Sequence, residues 1–214
     1  MPLLNPIKNV FLFKTAEFSC NSYLIKGKQN VLVDSGSASS IPEHVLMLKE
    51  LNLKPLDIDF VFHTHGHYDH FEADKIYGNA KKFISKTEAE LLENNRQEFT
   101  KSSFSFVPEF SFFSENQLLE FFPFALKVIF TPGHSKGSVC FFEEKKKWLF
   151  SGDTLFEKTI GRTDLPSSSF DELKNSIKLL SGLEISFLFP GHGKIISGIK
   201  ENKENFNFIN KNFF

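Results

Sequence analysis

The stretch FVFHTHGHYDH, residues 60–70, holds four of the chain's seven histidines and decides how the rest of the sequence is interpreted. Its apolar start predicts a β-strand that ends where the histidines begin. His65 and His67 are two residues apart, a spacing that points both side chains the same way on extended backbone. The glycine between them permits a turn, after which Asp69 and His70 can point in a different direction.

This density of histidine predicts a metal site. Imidazole nitrogen and carboxylate oxygen are ligands that Zn²⁺, Fe²⁺ and Mn²⁺ accept, and so many imidazoles are costly to bury without a metal. We therefore predict that His65, His67 and His70 bind metal. His63 still belongs to the strand end and is predicted to be packed or to support the ligands. His44, alone on a predicted helix, is predicted to be packed in the core.

Other apolar runs also end at a residue that could bind metal or act as an acid. The runs are VLVD, FVFHTH, KVIFTPGH, WLFSGD and FLFPGH. If their ends meet at one sheet edge, they bring together Asp34, His65, His134, Asp153 and His192. Cysteine is absent from this set, which favours an open catalytic site over a closed structural zinc site.

Length and charge limit the class of protein. With 214 residues and 24.5 kDa, the chain is predicted to form a single domain over residues 1–214. A net charge of −1 predicts no nucleic-acid partner, and no apolar run is long enough to predict a membrane span. Cys20 and Cys140 lie in apolar surroundings and are predicted to be buried, reduced thiols, which favours a cytoplasmic protein, as does an N-terminus that makes a poor signal peptide.

Predicted strands and helices recur in both halves of the chain, a pattern typical of a layered α/β domain with helices outside sheets. The helix over SSIPEHVLMLKELNL is predicted to be capped by Ser40. Two further helices are predicted from capping boxes, Thr87 with Glu90 and Ser169 with Glu172. In contrast, FTKSSFSFVPEFSFFSENQ, residues 99–117, has neither period and predicts a loop, whose apolar side chains up to Phe113 are predicted to line the mouth of a cleft.

The segment THGHYDH resembles the HxHxDH motif of the metallo-β-lactamase fold superfamily. The resemblance continues, in order, through TPGHSKGS, FSGDTLF, GRTDLP and FPGHG, and so covers nearly the whole chain. It implies a four-layer αβ/βα sandwich. It also implies two metal sites with one bridging carboxylate: a first site of His65, His67 and His134, a second of Asp69, His70 and His192, and Asp153 between them.

Within the superfamily, IGRTDLP and the late PGHG are most similar to glyoxalase-II-like thioesterases and their single-domain relatives. The resemblance implies hydrolysis of a thioester or ester by a metal-bound hydroxide, with two divalent ions. Zinc is expected, with iron or manganese as alternatives. Asp69 would bind a metal and orient the nucleophile, while Asp34 and Thr64 would support the ligands. Glyoxalase II proper has a helical C-terminal portion that helps bind glutathione, whereas this chain ends soon after His192, which argues against a glutathione thioester as the natural substrate and leaves the thiol carrier open.

Some alternatives use the same residues differently. Persulfide dioxygenases of the superfamily also carry a GRTD-like segment, and the resemblance implies that they activate O₂ at one iron. An RNA-processing nuclease occurs in the superfamily too, but the balanced charge argues against it. The pair Arg162 and Asp164 within GRTD is predicted to be a structural ion pair.

Two short motifs match unrelated hydrolases. Gly133, Ser135 and Gly137 form a G-x-S-x-G pattern, which in an α/β-hydrolase requires a helix directly after the serine. Here the following SVCFFEE predicts a strand. The sequence VLVDSGS resembles the Asp-Ser-Gly of aspartic proteases, but it occurs once, whereas that chemistry needs two carboxylates.

Overall fold

A computed structural model describes residues 4–14, 19–94 and 108–214. The chain divides into two compact units. The first unit contains the described residues up to Phe113 together with Phe121–Phe124, and the second contains Ser114–Glu120 and Ala125–Phe214. The prediction of a single domain over residues 1–214 stays a prediction.

The first unit is built on a mixed seven-stranded sheet in which the strands follow one another in chain order. The first four strands are antiparallel neighbours, and the pairs from the fourth strand to the seventh are parallel. The strands are β1 Leu4–Ile7, β2 Val10–Phe13, β3 Ser22–Lys26, β4 Asn30–Val33, β5 Phe60–Phe62, β6 Lys81–Ile84 and β7 Phe110–Phe112. Because β4 and β5 are parallel with Val33 opposite Phe62, the residues that follow them, Asp34 and His63, emerge side by side.

In the described part of the first unit, three α-helices and three short 3₁₀ helices flank this sheet. The α-helices are α1 Ile41–Glu50, α2 Tyr68–Phe71 and α3 Lys86–Asn94, and the 3₁₀ helices are Ala38–Ser40, Pro55–Asp57 and Glu72–Ile76. Met47 and Leu48 of α1 pack with Leu24, Leu32 and Val61 of the sheet in a buried apolar cluster. The 3₁₀ helix Glu72–Ile76 follows α2 directly.

Two predicted helix caps differ from the structure. Ser40 does occupy the N-cap of α1, but its hydroxyl donates to the carbonyl of Ser37 instead of accepting from the helix. The box predicted from Thr87 and Glu90 is wrong, because α3 already begins at Lys86. The cap comes from Ser85, whose Oγ accepts the Glu88 N–H at 3.2 Å.

The second unit is built on a six-stranded sheet in the order β15-β14-β11-β10-β9-β8. Its strands are β8 Leu118–Phe121, β9 Phe124–Phe130, β10 Val139–Glu143, β11 Trp148–Gly152, β14 Phe187–Pro190 and β15 Ile196–Ser197, and a separate hairpin joins β12 Leu155–Phe156 to β13 Thr159–Ile160. The pair of β11 and β14 is parallel with Gly152 opposite Pro190, so Asp153 and the Gly191 turn leave the sheet next to each other.

Two helices cover the second sheet, α4 Phe170–Ser181 and α5 Ile199–Phe213. Leu173 and Ile177 of α4 and Phe206 and Ile209 of α5 share a buried cluster with strand residues such as Leu149. The cap predicted for α4 is confirmed, because Ser169 Oγ accepts the Glu172 N–H at 3.3 Å. The sequence did not predict α5.

The loop predicted over residues 99–117 falls partly outside the described residues, as does most of the predicted cleft mouth. Where the structure describes it, the loop prediction is wrong at Phe110–Phe112, because this strand pairs in parallel with β6. None of the helices in the described ranges is long and apolar enough to cross a membrane.

Candidate metal centre

In the first unit, three predicted ligands lie together at the end of β5. The ring centroid of His65 is 4.7 Å from that of His67 and 4.1 Å from that of His70, and all three side chains are buried. We call residues 63–70 the histidine segment. Asp69 lies within it on α2 beside His70.

Asp34 holds the histidine segment through both carboxylate oxygens. Its Oδ1 accepts the backbone N–H of Thr64 at 2.8 Å, and its Oδ2 accepts the Thr64 hydroxyl at 2.8 Å and contacts His70 Nδ1 at 2.9 Å. An ionised carboxylate can only accept hydrogen bonds, so His70 carries its hydrogen on Nδ1. The lone pair of the neutral ring is therefore on Nε2, the arrangement of a metal ligand oriented by a carboxylate.

The tautomer of His65 follows from the same contacts. The Thr64 hydroxyl donates its hydrogen to Asp34, so its 3.1 Å contact with His65 Nδ1 requires the ring to donate. His65 therefore also has its lone pair on Nε2. The supporting contacts predicted for Asp34 and Thr64 are present, and they set two ring orientations at once.

His63 and His44 are packed, as predicted. His63 Nε2 lies 2.9 Å from Asp74 Oδ2 with both side chains fully buried, and its ring meets the edge of Phe110. His44 Nδ1 lies 2.7 Å from the Tyr77 hydroxyl. Burial lowers the pKa of His44 to about 3, which keeps the ring neutral.

A buried glutamate that the sequence analysis did not assign to the site also contacts the histidine segment. The carboxylate of Glu88, on α3, accepts the Gly66 N–H at 2.8 Å, and Glu88 is fully buried. Ser85-x-x-Glu88 matches a capping box, so the helix start could have been found from sequence. The contact with Gly66 could not, because it depends on tertiary packing.

Both cysteines are buried and reduced, as predicted. Cys20 lies close to His70, because the possible ligand atoms of Cys20, Asp34 and His70 are all within 4.8 Å of one another. Burial raises the pKa of the Cys20 thiol to about 11, against a smaller opposing effect of His70. Cys20 is therefore a neutral neighbour of the ligands at physiological pH.

In the second unit, a carboxylate lies between two imidazoles. Asp153 Oδ2 is 3.6 Å from His134 Nε2 and 3.6 Å from His192 Nε2. His134 Nδ1 contacts the backbone carbonyl of Arg162 at 3.0 Å, and since a carbonyl only accepts, the hydrogen is on Nδ1. The lone pair of His134 therefore faces Asp153, as expected for a metal ligand.

The turn that carries His134 is fixed against α4. The Ser169 N–H donates to the Gly133 carbonyl at 2.7 Å, and the Ser176 hydroxyl donates to the Pro132 carbonyl at 2.7 Å. Gly133 has φ +140°, and a Cβ there would lie 2.3 Å from Leu173 Cα. Ser135 is fully buried and is followed by strand β10, so the nucleophile-elbow interpretation is wrong.

The GRTD segment acts on the site through its backbone. Arg162 and Asp164 form the predicted ion pair, exposed and bidentate, with both N···O distances 2.9 Å. The Arg162 carbonyl orients His134, a role that was not predicted from the sequence. Gly161 is required beside it, because a Cβ there would lie 1.9 Å from the Asp153 carbonyl oxygen.

The hairpin before GRTD is held by α5. Asn205 Oδ1 accepts the Lys158 N–H at 2.6 Å, and its Nδ2 donates to the Phe156 carbonyl at 2.9 Å. The ring of Phe156 lies 6.2 Å from that of His192. A buried asparagine on the unpredicted helix thus fixes the turn next to a predicted ligand.

The mixed sheets, the flanking helices and the imidazole–carboxylate clusters at strand ends define an α/β protein with a metal-binding active site. A family model described as the metallo-β-lactamase superfamily matches residues 15–192. The chain belongs to this superfamily and is one of its metallohydrolases. The Asp-Ser-Gly match to aspartic proteases is accordingly wrong.

The chain is similar to two curated bacterial and archaeal proteins over most of their length. It is 35% identical to a probable metallo-hydrolase of Methanocaldococcus jannaschii, over 83% of this chain and 89% of that protein. It is 31% identical to the hydroxyacylglutathione hydrolase GloC of Haemophilus influenzae, over 92% of this chain and 96% of GloC.

Solved structures with the same fold include a metallo-β-lactamase family protein from Thermus thermophilus, with TM-score 0.77, 21% identity and coverage of 97% of this chain and 80% of that one. A second solved structure is TTHA1623 in a di-iron-bound form. It has TM-score 0.72 and 25% identity, and the alignment covers 94% of this chain and 98% of TTHA1623. The predicted fold class is confirmed: a metallo-β-lactamase fold with two mixed sheets and flanking helices. The histidine-rich set is typical of a dinuclear centre in this superfamily.

Proposed function

We propose that the protein hydrolyses acyl thioesters at a dinuclear metal centre. The first ion would be held by His65, His67 and His134 and the second by Asp69, His70 and His192, with Asp153 shared by both. The observation that carries the proposal is the fixed tautomer of three of these rings. His65, His70 and His134 each have Nδ1 committed to an oxygen partner, which leaves Nε2 as the ligand atom.

Two divalent ions bound by this set would supply Lewis acidity, which polarises a carbonyl and makes water acidic enough to ionise near neutral pH. The residues of the chain orient the participants. Asp34 and Thr64 keep two imidazoles in the ligand tautomer, and the Arg162 carbonyl does the same for His134. Asp69 would accept a hydrogen bond from the attacking water and so aim its lone pair at the carbonyl.

A thioester is favoured as the substrate by the similarity to GloC, whose name is hydroxyacylglutathione hydrolase. The end of the chain soon after His192 was the argument from sequence against a glutathione thioester. The similarity to GloC removes this argument, because it extends over 96% of GloC. Both glutathione and other thiols therefore belong in the substrate panel.

Zinc is the proposed metal, since the donor set is imidazole and carboxylate. The di-iron form of TTHA1623 makes iron the first alternative to measure. The cytoplasm remains the predicted compartment, and a small acyl thioester the predicted partner.

The test is to purify the protein without added metal, count the ions per chain and assay a panel of thioesters. The panel contains a hydroxyacylglutathione, an acyl-coenzyme A and an oxygen ester. We expect two ions per chain and faster hydrolysis of a thioester than of the oxygen ester. Asp153→Ala is expected to lower metal content and to reduce kcat/KM at least about 10²-fold, because the two ions lose their shared ligand.

Asp171→Ala is the matched control, since Asp171 is an exposed aspartate in the first turn of α4 and is not among the predicted ligands. It should retain full activity. Full activity in Asp153→Ala would contradict the shared carboxylate. One iron per chain together with O₂ uptake on glutathione persulfide would replace the hydrolase with the dioxygenase alternative.

A further inference from the structure

Glu88 is a buried carboxylate for which the proposed chemistry has no use. We propose that Glu88 is a positioning residue for His65 and His67 and therefore controls binding of the first ion, with little effect on the second. The inference rests on the dinuclear centre proposed above. It assigns a role to a residue outside every motif quoted from the sequence.

The contact is made at the peptide between the two histidines. Gly66 separates His65 from His67, and its N–H donates to Glu88 Oε2 at 2.8 Å. A hydrogen bond from a backbone N–H to a carboxylate is charge-assisted and stronger than one between neutral groups. Because the orientation of this peptide sets the directions of the side chains on both sides, Glu88 fixes the two imidazoles as a pair.

Glu88 is itself held rigidly. It lies in the first turn of α3, where the Ser85 hydroxyl accepts its N–H at 3.2 Å. Its neighbours Ala89 and Leu92 are anchored in a buried cluster with Phe71 and Ile84. The helix therefore presents the carboxylate at a fixed place.

The segment approaches α3 closely at Gly66. A Cβ at position 66 would lie 3.1 Å from Glu88 Oε2 and 3.1 Å from Leu92 Cγ. An alanine there would displace the Glu88 carboxylate, the Leu92 side chain or the segment itself by a few tenths of an ångström. Gly66 and Glu88 thus form one contact that can be disturbed from either side.

Burial makes a carboxylate at this position dependent on the hydrogen bonds that it accepts. One of these comes from the Gly66 N–H, so the contact with the histidine segment is part of what Glu88 does in the fold. Two other buried carboxylates contact histidines of the segment. Asp34 contacts His70, and Asp74 contacts His63. Glu88 alone among these three meets the peptide between His65 and His67.

The test replaces Glu88 and measures metal binding without substrate. Apoprotein is titrated with Co²⁺, which reports ligand geometry in its visible spectrum, and affinities are obtained by competition with a chelator. We expect Glu88→Leu to weaken binding of one ion about 10- to 100-fold and to leave the other unchanged. Its spectrum with limiting Co²⁺ should resemble that of His65→Ala and differ from that of His192→Ala.

Two further variants separate positioning from general packing. Glu88→Gln keeps an oxygen that can accept from Gly66 and should recover most of the lost affinity. Glu90→Leu makes the same replacement on the same helix at an exposed residue, whose partner is Lys86, and should bind both ions normally. Gly66→Ala disturbs the contact from the other side and should reproduce the selective loss, which provides the measurement if Glu88→Leu does not fold.

Several results would overturn the inference. Glu88→Leu and Gly66→Ala could bind both ions with wild-type affinity, or could lose both ions equally. The metal titration stays informative if no thioester is hydrolysed, since a selective loss of one ion supports the role of Glu88 whatever the substrate. A wild-type chain that binds no Co²⁺ would instead remove the metal centre, and the role of Glu88 with it.

Discussion

Individual histidines in this chain differ by the oxygen atoms that meet their rings. Three predicted ligands have Nδ1 next to an oxygen acceptor, which directs the Nε2 lone pair outward. His44 Nδ1 also meets an oxygen, but it belongs to the Tyr77 hydroxyl, and the ring packs edge-on against Phe13 instead of lying with other predicted ligands. Histidine is thus oriented to bind a cation at the predicted ligand positions, whereas burial keeps it neutral at position 44.

The buried state of His44 predicts acid sensitivity. Its pKa is lowered from 6.5 to about 3 in the folded protein, so below pH 6.5 the unfolded chain binds a proton that the folded chain does not. Stability is therefore complete above this pH and falls as the pH falls from 6.5 towards 3. The loss due to His44 should reach roughly 2 kcal/mol between pH 7.5 and 5.

The measurement is urea unfolding of metal-free wild type and His44→Gln at several pH values. The variant should be less stable at pH 7.5, because packing is lost, but the difference should shrink by roughly 2 kcal/mol at pH 5. Other histidines titrate in both proteins and cancel in the comparison. Parallel stability curves across this range would show that His44 is not held neutral.

Strands and helices were predictable from sequence where their pattern was regular. Strands β4, β5, β10 and β11 and helix α4 follow directly from apolar runs and one capping box. Helix α5 was missed because Asn202 and Asn205 occupy buried positions that a sequence pattern expects to be apolar. Strand β7 was missed because its three residues are too short to show a pattern within an irregular stretch, and its place is set by pairing with β6.

The buried asparagine on α5 leads to a prediction about the β12–β13 hairpin. Asn205→Ala removes both hydrogen bonds to Phe156 and Lys158, leaving a carbonyl and an N–H without their side-chain partner. We expect a loss of about 1–3 kcal/mol in the free energy of unfolding. Hydrogen exchange at the Lys158 amide should accelerate as well.

Asn207→Ala is the control, since Asn207 is exposed on the same helix. It should leave both the unfolding free energy and the Lys158 exchange rate unchanged. Unaltered exchange at Lys158 in Asn205→Ala would show that α5 does not hold the hairpin.

For the whole chain, the order of the motifs was enough to predict the superfamily and a set of ligand residues. It could not reveal what orients them: the Arg162 carbonyl, the Glu88 contact and the double contact of Asn205 depend on residues distant in sequence. Metal ligands are predictable because their chemistry restricts residue type and spacing. Supporting contacts can use any nearby oxygen or N–H, so they leave a weaker trace in sequence.

The proposed metal centre predicts that bound metal stabilises the folded chain. An ion that binds only the folded state at 100 times its Kd adds about 2.7 kcal/mol. For a chain of 214 residues, removal of metal should therefore lower Tm by roughly 5–10 °C. Calorimetry before chelation, after chelation and after Zn²⁺ is added back measures this change in Tm.

His134→Ala is the comparison, since it should show a smaller shift on chelation. A wild-type Tm that is the same with and without chelator would contradict a metal bound by the folded state.

The backbone contact between Gly133 and Leu173 also restricts how the sequence can evolve. Any side chain at position 133 would overlap helix backbone, and neither a rotamer change nor a smaller neighbour can relieve the overlap. In a saturation library selected for folded protein, we expect only glycine at position 133. Exposed positions of α4 such as Leu179 should accept many residue types. Descendants of this gene can therefore relocate the His134 turn only by moving the helix with it.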